Sequence, residues 1–324
     1  MKSEKSRFQV LVTHNEIHPS AVEFLRENLC DVHFSPPYTS SQELAKKAKQ
    51  LEIDAIMVRQ GQINAEVIGA SNKLKVIVKH GVGVDNIDLA AAQHFKIPVL
   101  RSIGSNALAV AEHTIALTLC LIKRILPLDK SIKTGRWLKP GFIGSDYKDK
   151  TIGLVGLGSI ATLVAEQAKA LGMNVLAYDP HTEKPQHKEI VFVDDLKTLL
   201  INADIVSLHC PLTPDTKHLI NTETLALMKE TAYLINTARG GLINENALLA
   251  SLTSNQIAGA ALDSFESEPP SVDNPLWNAP NLVVTPHIAG VTENSAIQMA
   301  NLAAKHIVSI LNGNEPDIKS ICLA

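Results

Sequence analysis

Apolar residues in the first hundred positions come in short runs separated by stretches of helical spacing. Gln9–Val12, Asp31–Phe34, Ala55–Val58, Lys75–Val78 and Ile97–Leu100 are rich in Val, Ile, Leu and Phe, and each predicts a strand. Pro19–Asn28, Ser41–Gln50 and Ile87–His94 predict helices between them. Strands that alternate with helices pair in parallel through right-handed crossovers. Ser102–Asn106 breaks this rhythm, and a long apolar helix over Ala107–Leu126 follows. The stretch Lys133–Tyr147 holds Gly135, Pro140, Gly141 and Gly144 and predicts an extended connection.

A second, clearer series then begins. Its strands are expected at Thr151–Val155, Asn174–Tyr178, Asp204–Leu208, Ala232–Asn236, Ile257–Leu262 and Leu282–Val284. Its helices are expected at Ser159–Leu171, Asp195–Ile201, Thr222–Met228 and Asn244–Leu252, with a last helix over Glu293–Leu311. Neither a solenoid repeat nor a low-complexity tract is visible. Local patterning therefore suggests two α/β units, one after the other.

Composition narrows the function. The chain has 324 residues, which predicts about two domains, and at 45% hydrophobic and 19% charged it has ample material for packed cores. Lys plus Arg number 30 against 33 Asp plus Glu, a net charge of −3, which argues against a general nucleic-acid binder. Cys30, Cys120, Cys210 and Cys322 lie far apart with no CxxC pair, so neither a zinc site nor a disulfide framework is expected, and a cytoplasmic location is. The apolar run Phe8–Val12 is too short for the core of a signal peptide. Ala107–Leu126 carries Glu112, His113, Lys123 and Arg124, which suits a buried or interface helix and not a membrane span.

The strongest local signal is Gly156-Leu157-Gly158-Ser159-Ile160-Ala161, between a predicted strand and a predicted helix. Gly156 permits a tight turn, Gly158 lets a pyrophosphate approach the backbone, and Ala161 lets the helix pack on the strand. The helix N-terminus offers N–H groups and partial positive charge to phosphates. The next strand ends at Asp179, 179 − 156 = 23 residues beyond the first glycine. A carboxylate there hydrogen-bonds ribose hydroxyls and repels a 2′-phosphate, which favours NAD over NADP.

Three further side chains follow predicted strands: Arg239, Glu268 and His287. Strand ends of a parallel sheet face the ligand crevice. An Arg holds a carboxylate through two parallel hydrogen bonds, a His donates a proton near neutral pH, and a carboxylate beside it stabilises imidazolium. Singly, each also reads as a surface salt-bridge partner, a solvated loop charge or a turn histidine. Together at strand ends they point to acid–base chemistry on a carboxylate-bearing substrate.

With these residues in place, the chain resembles the D-isomer-specific 2-hydroxyacid dehydrogenases over nearly its whole length. The resemblance rests on Gly81-Val82-Gly83 before Val84-Asp85-Asn86-Ile87-Asp88, Asn106 before Val110-Ala111-Glu112-His113, the glycine turn, Cys210-Pro211-Leu212-Thr213, the Arg239 strand end, Glu268 and Pro286-His287, all in the family's order. Where the family's turn often reads Gly-x-Gly-Arg-Ile-Gly, Ser159 and Ala161 stand here, and Ser159 removes one charge. Val82 stands where phosphoglycerate dehydrogenases often have Thr.

The resemblance implies two doubly wound parallel-sheet domains. A discontinuous, flavodoxin-like substrate domain would span 1–102 and 293–324, and a Rossmann NAD-binding domain 103–292. It implies Arg239, Glu268 and His287 as catalytic residues, and Gly156, Gly158, Ser159, Ile160, Asp179, Cys210, Thr237 and Asp263 as the NAD site, Asp263 facing the nicotinamide carboxamide. Arg59, Lys79, Val82, Gly83, Asn106 and Lys139 would face the substrate, with the two lysines holding a phosphate.

The substrate expected from those lysines is 3-phosphoglycerate with 3-phosphohydroxypyruvate, and the alternative is glyoxylate or hydroxypyruvate. A small-molecule acid is the expected partner, without nucleic acid or membrane. A homodimer through the NAD domains is implied, with Ala107–Leu126 in the interface. A chain ending at Ala324 is not expected to carry a C-terminal serine-sensing domain. The rival of a different class is an NAD-sensing co-repressor-like binding protein, which retains the same Arg, Glu and His.

Overall fold

The computed structural model describes residues 7–181 and 189–322. The chain runs through β1 (Phe8–Val12), α1 (Pro19–Glu27), β2 (Cys30–Phe34), α2 (Ser41–Leu51), β3 (Ala55–Val58), α3 (Ala65–Ile68), β4 (Val76–Lys79), α4 (Leu89–His94) and β5 (Val99–Arg101). It continues through α5 (Ala107–Ile122), α6 (Ile125–Lys133), β6 (Thr151–Val155), α7 (Ser159–Ala170), β7 (Asn174–Tyr178), β8 (Val191–Phe192), α8 (Leu196–Asn202) and β9 (Ile205–Leu208). Then come α9 (Thr222–Leu225), β10 (Tyr233–Asn236), α10 (Glu245–Thr253), β11 (Gly259–Leu262), β12 (Leu282–Val284), α11 (Glu293–Leu311) and β13 (Ile321–Cys322). Two compact units result, one of residues 1–106 with 291–324 and the other of residues 107–290.

The first unit is built on a sheet of order β13-β5-β4-β3-β1-β2, parallel except for β13, which runs antiparallel along β5. Its parallel strands follow the order 2-1-3-4-5 of the flavodoxin-like winding. Every residue of β3 is buried, as a parallel sheet covered on both faces requires. Val10, Val12, Met57, Val76 and Val78 face α1 and α11, whereas Leu11, Ile56, Val58 and Ile77 face α2, α3 and α4. The last helix thus returns to the first unit, laying Ala300, Ala303, Ala304 and Ile307 on its sheet. Its start is fixed by a reciprocal cap, in which Thr292 Oγ1 accepts the Ser295 N–H at 3.2 Å and Ser295 Oγ accepts the Thr292 N–H at 2.9 Å. Local patterning suggested two consecutive units because a sequence window does not show which sheet a distant helix covers.

The second unit carries seven parallel strands in the order β12-β11-β10-β9-β6-β7-β8. The winding reverses between β6 and β9, which makes the C-terminal ends of these two strands the ligand crevice of this fold type. Helices α5 and α7 pack on one face, and α8, α9 and α10 on the other.

One predicted element is corrected. The helix expected over Ala107–Leu126 ends at Ile122, Arg124 turns into the left-handed region at φ 52°, and α6 starts at Ile125. Pro127 explains the break, because in an unbroken helix it would lack an N–H for the Lys123 carbonyl and its ring would strike it. Much of the expected extended connection is therefore preceded by a helix that the sequence reading did not separate. The apolar side of α5 is also used within its own unit, where Ala111, Ile115, Leu121 and Ile122 pack with Leu154, Val164 and Ala165. Exposed apolar residues include Leu108 on α5, and others follow on α6 and beyond it, at Ile125, Ile132, Trp137 and Ile143. Elements α3, β8 and β13 have no predicted counterpart, being four residues long or shorter. Among the described residues no helix is long and apolar enough to cross a membrane.

Candidate active site

The glycine turn sits at the end of β6. Gly156 has φ +90°, and a Cβ there would stand 2.8 Å from the Cys210 N, so the turn admits no side chain. Gly158 caps α7 and is exposed, and a Cβ on it would meet no atom within 4 Å. Ser159 and Ile160 form the first turn of α7, so the helix N–H groups open onto unfilled space. Asp179 follows β7. Its Oδ2 accepts the Leu157 N–H at 2.8 Å and its Oδ1 the His181 N–H at 2.9 Å. The carboxylate is thereby held against the turn. Cys210 follows β9, and burial pushes its thiol up to about 11, so the group is neutral. Thr237 follows β10, its hydroxyl 2.8 Å from that of Thr114. A turn closed to side chains, an open helix N-terminus and an anchored carboxylate fit a dinucleotide.

The next three strand ends carry Arg239, Glu268 and His287. Asn236 is fully buried and bridges the bend after β10, its Oδ1 accepting the Ala238 N–H at 3.0 Å and its Nδ2 donating to the Arg239 carbonyl at 2.9 Å. Gly240 presses on the loop after β11: a Cβ there would fall 1.9 Å from the Phe265 carbonyl carbon. In that loop Glu268 Oε1 accepts the Phe265 N–H at 3.0 Å, which leaves Oε2 for His287 Nδ1 at 2.6 Å. His287 itself occupies the left-handed region at φ +54°.

The electrostatics follow from this geometry. The hydrogen bond to Glu268 raises the His287 pKa above its ordinary value; burial and Arg239 oppose it, while the charges of Glu268 and Asp263 support it. Burial alone would raise Glu268, but the His287 bond, the Phe265 N–H and the charges of His287 and Arg239 hold it below the usual carboxylate range. Nδ1 faces the carboxylate, so Nε2 is the nitrogen left for proton transfer. The other loop carboxylate, Glu266, pairs with His218 instead.

Asp263, one per cent exposed, accepts three hydrogen bonds, from Thr285 Oγ1 at 2.5 Å, the Ile288 N–H at 2.9 Å and the Ala289 N–H at 2.8 Å. His113 Nε2 lies 3.1 Å from Thr285 Oγ1. His113 stood in a quoted motif without a role, and nothing in the sequence pointed to Thr285.

In the first unit the structure brings Arg59 and Lys79 together, at the ends of β3 and β4. Lys79 Nζ donates to the Arg59 carbonyl at 3.1 Å and to Asn86 Oδ1 at 2.7 Å. Arg59 Nη1 donates to the Glu16 carbonyl at 2.9 Å and meets His14 Nδ1 at 3.2 Å. Burial, then Arg59, lowers the pKa of His14 and takes that of buried His80 down to about 3. His14 and Asn86 brace the two cations, and sequence reasoning gave neither that task. Val82 and Gly83 form the half-buried loop after β4, and Asn106 closes the stretch after β5. Lys139 lies exposed on the segment between α6 and β6 of the second unit, its carbonyl accepting the Phe142 N–H at 3.3 Å. Among the described residues no cluster of His, Cys, Asp or Glu has the makings of a metal site.

A doubly wound sheet with this turn and this acidic residue defines a dinucleotide-binding protein. Residues 115–289 match the family described as D-isomer specific 2-hydroxyacid dehydrogenase, NAD binding domain, and the chain belongs to that family. It is 40% identical over 299 residues to a D-3-phosphoglycerate dehydrogenase of Archaeoglobus fulgidus, covering 92% of this chain and 56% of that one. The chain thus spans about half the length of the phosphoglycerate dehydrogenases it matches. It is also 40% identical over 321 residues to a glyoxylate reductase of Thermofilum pendens, covering 96% of this chain and 94% of that one. The crystal structure of the TT0316 protein from Thermus thermophilus superposes with a TM-score of 0.89 at 35% identity, over 98% of this chain and all of that one.

Proposed function

We propose that the chain is an NAD-dependent dehydrogenase interconverting a D-2-hydroxy acid and its 2-keto acid. The observation that carries this reading is the 2.6 Å Glu268–His287 pair, with the charge of Arg239 acting on both groups. NADH, when bound, supplies the hydride. Arg239 anchors the substrate carboxylate and polarises the carbonyl through its planar fork. His287 donates a proton from Nε2 to the developing alkoxide, and Glu268 keeps the ring charged until it does. In oxidation the neutral ring takes the proton back. Oxidation of NADH with a panel of 2-keto acids tests the reading, and a chain that binds NADH but turns over none of them is the co-repressor-like alternative.

Asp179 selects the cofactor in this proposal. Asp179→Ala lowers the ratio of kcat/KM with NADH to that with NADPH by about tenfold or more, because a 2′-phosphate is no longer repelled. An unchanged ratio removes the role.

Arg59, Lys79, Val82, Gly83 and Asn106 of the first unit are assigned to substrate recognition, and Lys139 is a separate candidate on the second unit. Two braced cations favour a phosphorylated acid, 3-phosphohydroxypyruvate. The glyoxylate reductase relative, matched over nearly its full length, supports the second reading, glyoxylate or hydroxypyruvate. A phosphate site predicts a preference for 3-phosphohydroxypyruvate over hydroxypyruvate of roughly tenfold or more, shrinking as salt screens the contact. Equal kcat/KM values select the second reading.

The apolar residues of α6 and the segment after it are assigned to a second copy of the chain. Ile143 is 90% and Trp137 71% exposed. Sedimentation is expected to show a dimer, and the double substitution Trp137→Glu with Ile143→Glu a monomer. A double variant that stays dimeric places the interface elsewhere. A cytoplasmic location is proposed from the spacing of the four cysteines.

A further inference from the structure

The outer members of the Asp263 network have no task in the proposed reaction. A carboxylate only accepts hydrogen bonds, so Thr285 Oγ1 is the donor to Asp263 at 2.5 Å. Its one proton is committed there, and its oxygen therefore accepts from His113 Nε2 at 3.1 Å. The network thus places a hydrogen on Nε2 of His113, which also lies 3.9 Å from the Asp263 carboxylate. At the inner end, Asp263 holds the N–H groups of Ile288 and Ala289, the two residues after His287. His287 is a non-glycine residue at φ +54°, a conformation that persists only where the surroundings enforce it.

We infer that His113 is a positioning residue for His287, tying α5 through Thr285 and Asp263 to the turn that aims the His287 ring at Glu268. The inference rests on the acid–base role proposed for His287. Groups whose charge acts on that ring are Glu268, Arg239 and Asp263, from the loops after β11 and β10 and the end of β11. Glu268 is in hydrogen-bond contact with it at 2.6 Å, so a ring that drifts from its place loses the contact that keeps it charged.

The test uses His113→Leu, which removes the donor, His113→Gln, which keeps an N–H at similar reach, and Thr285→Val, which keeps the shape without the hydroxyl. The His287 titration is followed by NMR in the substrate-free protein, and kcat and KM are measured alongside. His113→Leu and Thr285→Val are each expected to move the His287 midpoint down towards the free value of about 6.5. They are expected to lower kcat roughly tenfold with KM changed by less than about twofold. Combining them adds little further, since loss of the hydroxyl already cuts the hydrogen-bonded link from His113 to Asp263. His113→Gln restores both readouts. A wild-type midpoint and kcat in folded His113→Leu, or effects that multiply in the double variant, overturn the inference. Should His113→Leu fail to fold, His113→Met, which also lacks a donor, takes its place against His113→Gln. The titration needs no turnover, so a wild-type chain inactive on every keto acid would sink the dehydrogenase reading and leave the coupling measurable.

Discussion

Arg239→Lys lowers kcat/KM by roughly ten- to a hundredfold, the equivalent of a charge-assisted hydrogen bond of about 1.5–3 kcal/mol. The substitution keeps the charge and loses the fork. A lysine ammonium is a single point charge and cannot span both carboxylate oxygens or reach the carbonyl at the same time. The side chain of residue 239 gives the bend one hydrogen bond, Arg239 Nη1 donating to the Ala238 carbonyl at 2.7 Å, but other residues hold most of the bend. It is held by buried Asn236 from within and by Gly240 against the Phe265 loop, so the variant folds and the loss is one of substrate contact. A variant with near-normal kcat/KM would refute the assignment.

Glu268→Gln moves both limbs of the pH profile to lower pH. Reduction needs charged His287 and is lost as pH rises through the His287 pKa; oxidation needs the neutral ring and appears through the same pKa. Glu268 raises that pKa through its hydrogen bond and its charge. Glutamine keeps the shape and removes the charge, so the pKa falls. Reductive activity then disappears earlier, and oxidative activity appears earlier, as pH rises. Above the variant's midpoint the reductive kcat/KM drops by at least about tenfold. Profiles in both directions check this, and limbs that stay fixed or move oppositely exclude Glu268 as the partner.

Much of the second unit was legible because its signals are local. Apolar runs with turn residues at both ends marked β6, β7 and β9 to β12, and the glycine turn fell between β6 and α7, as expected from the flanking patterns. Strand-end side chains in a parallel sheet converge by topology, so Glu268 and His287 were readable as a pair before any distance was known. What was not legible is long-range. The pairing of Thr285 with Asp263, and of His113 with Thr285 across 172 positions, depends on which helix lies on which strand. His14 bracing Arg59, 45 positions away, is of the same kind. The break after α5 was readable in principle from Pro127, but the hydrophobic run through Ile125 and Leu126 concealed it.

The return of α11 to the first sheet has a consequence for how the chain assembles during synthesis. The strands β1 to β5 leave the ribosome first, yet the face that they share with α1 lacks its cover by Ala300, Ala303, Ala304 and Ile307 until the last helix is made. The second unit is continuous and complete before α11 is made, so it can reach its fold first, inverting the usual N-to-C order. In the interval Val76 and Val78 lack the cover of α11, and the nascent chain is most open to misassociation while residues 107–290 are emerging.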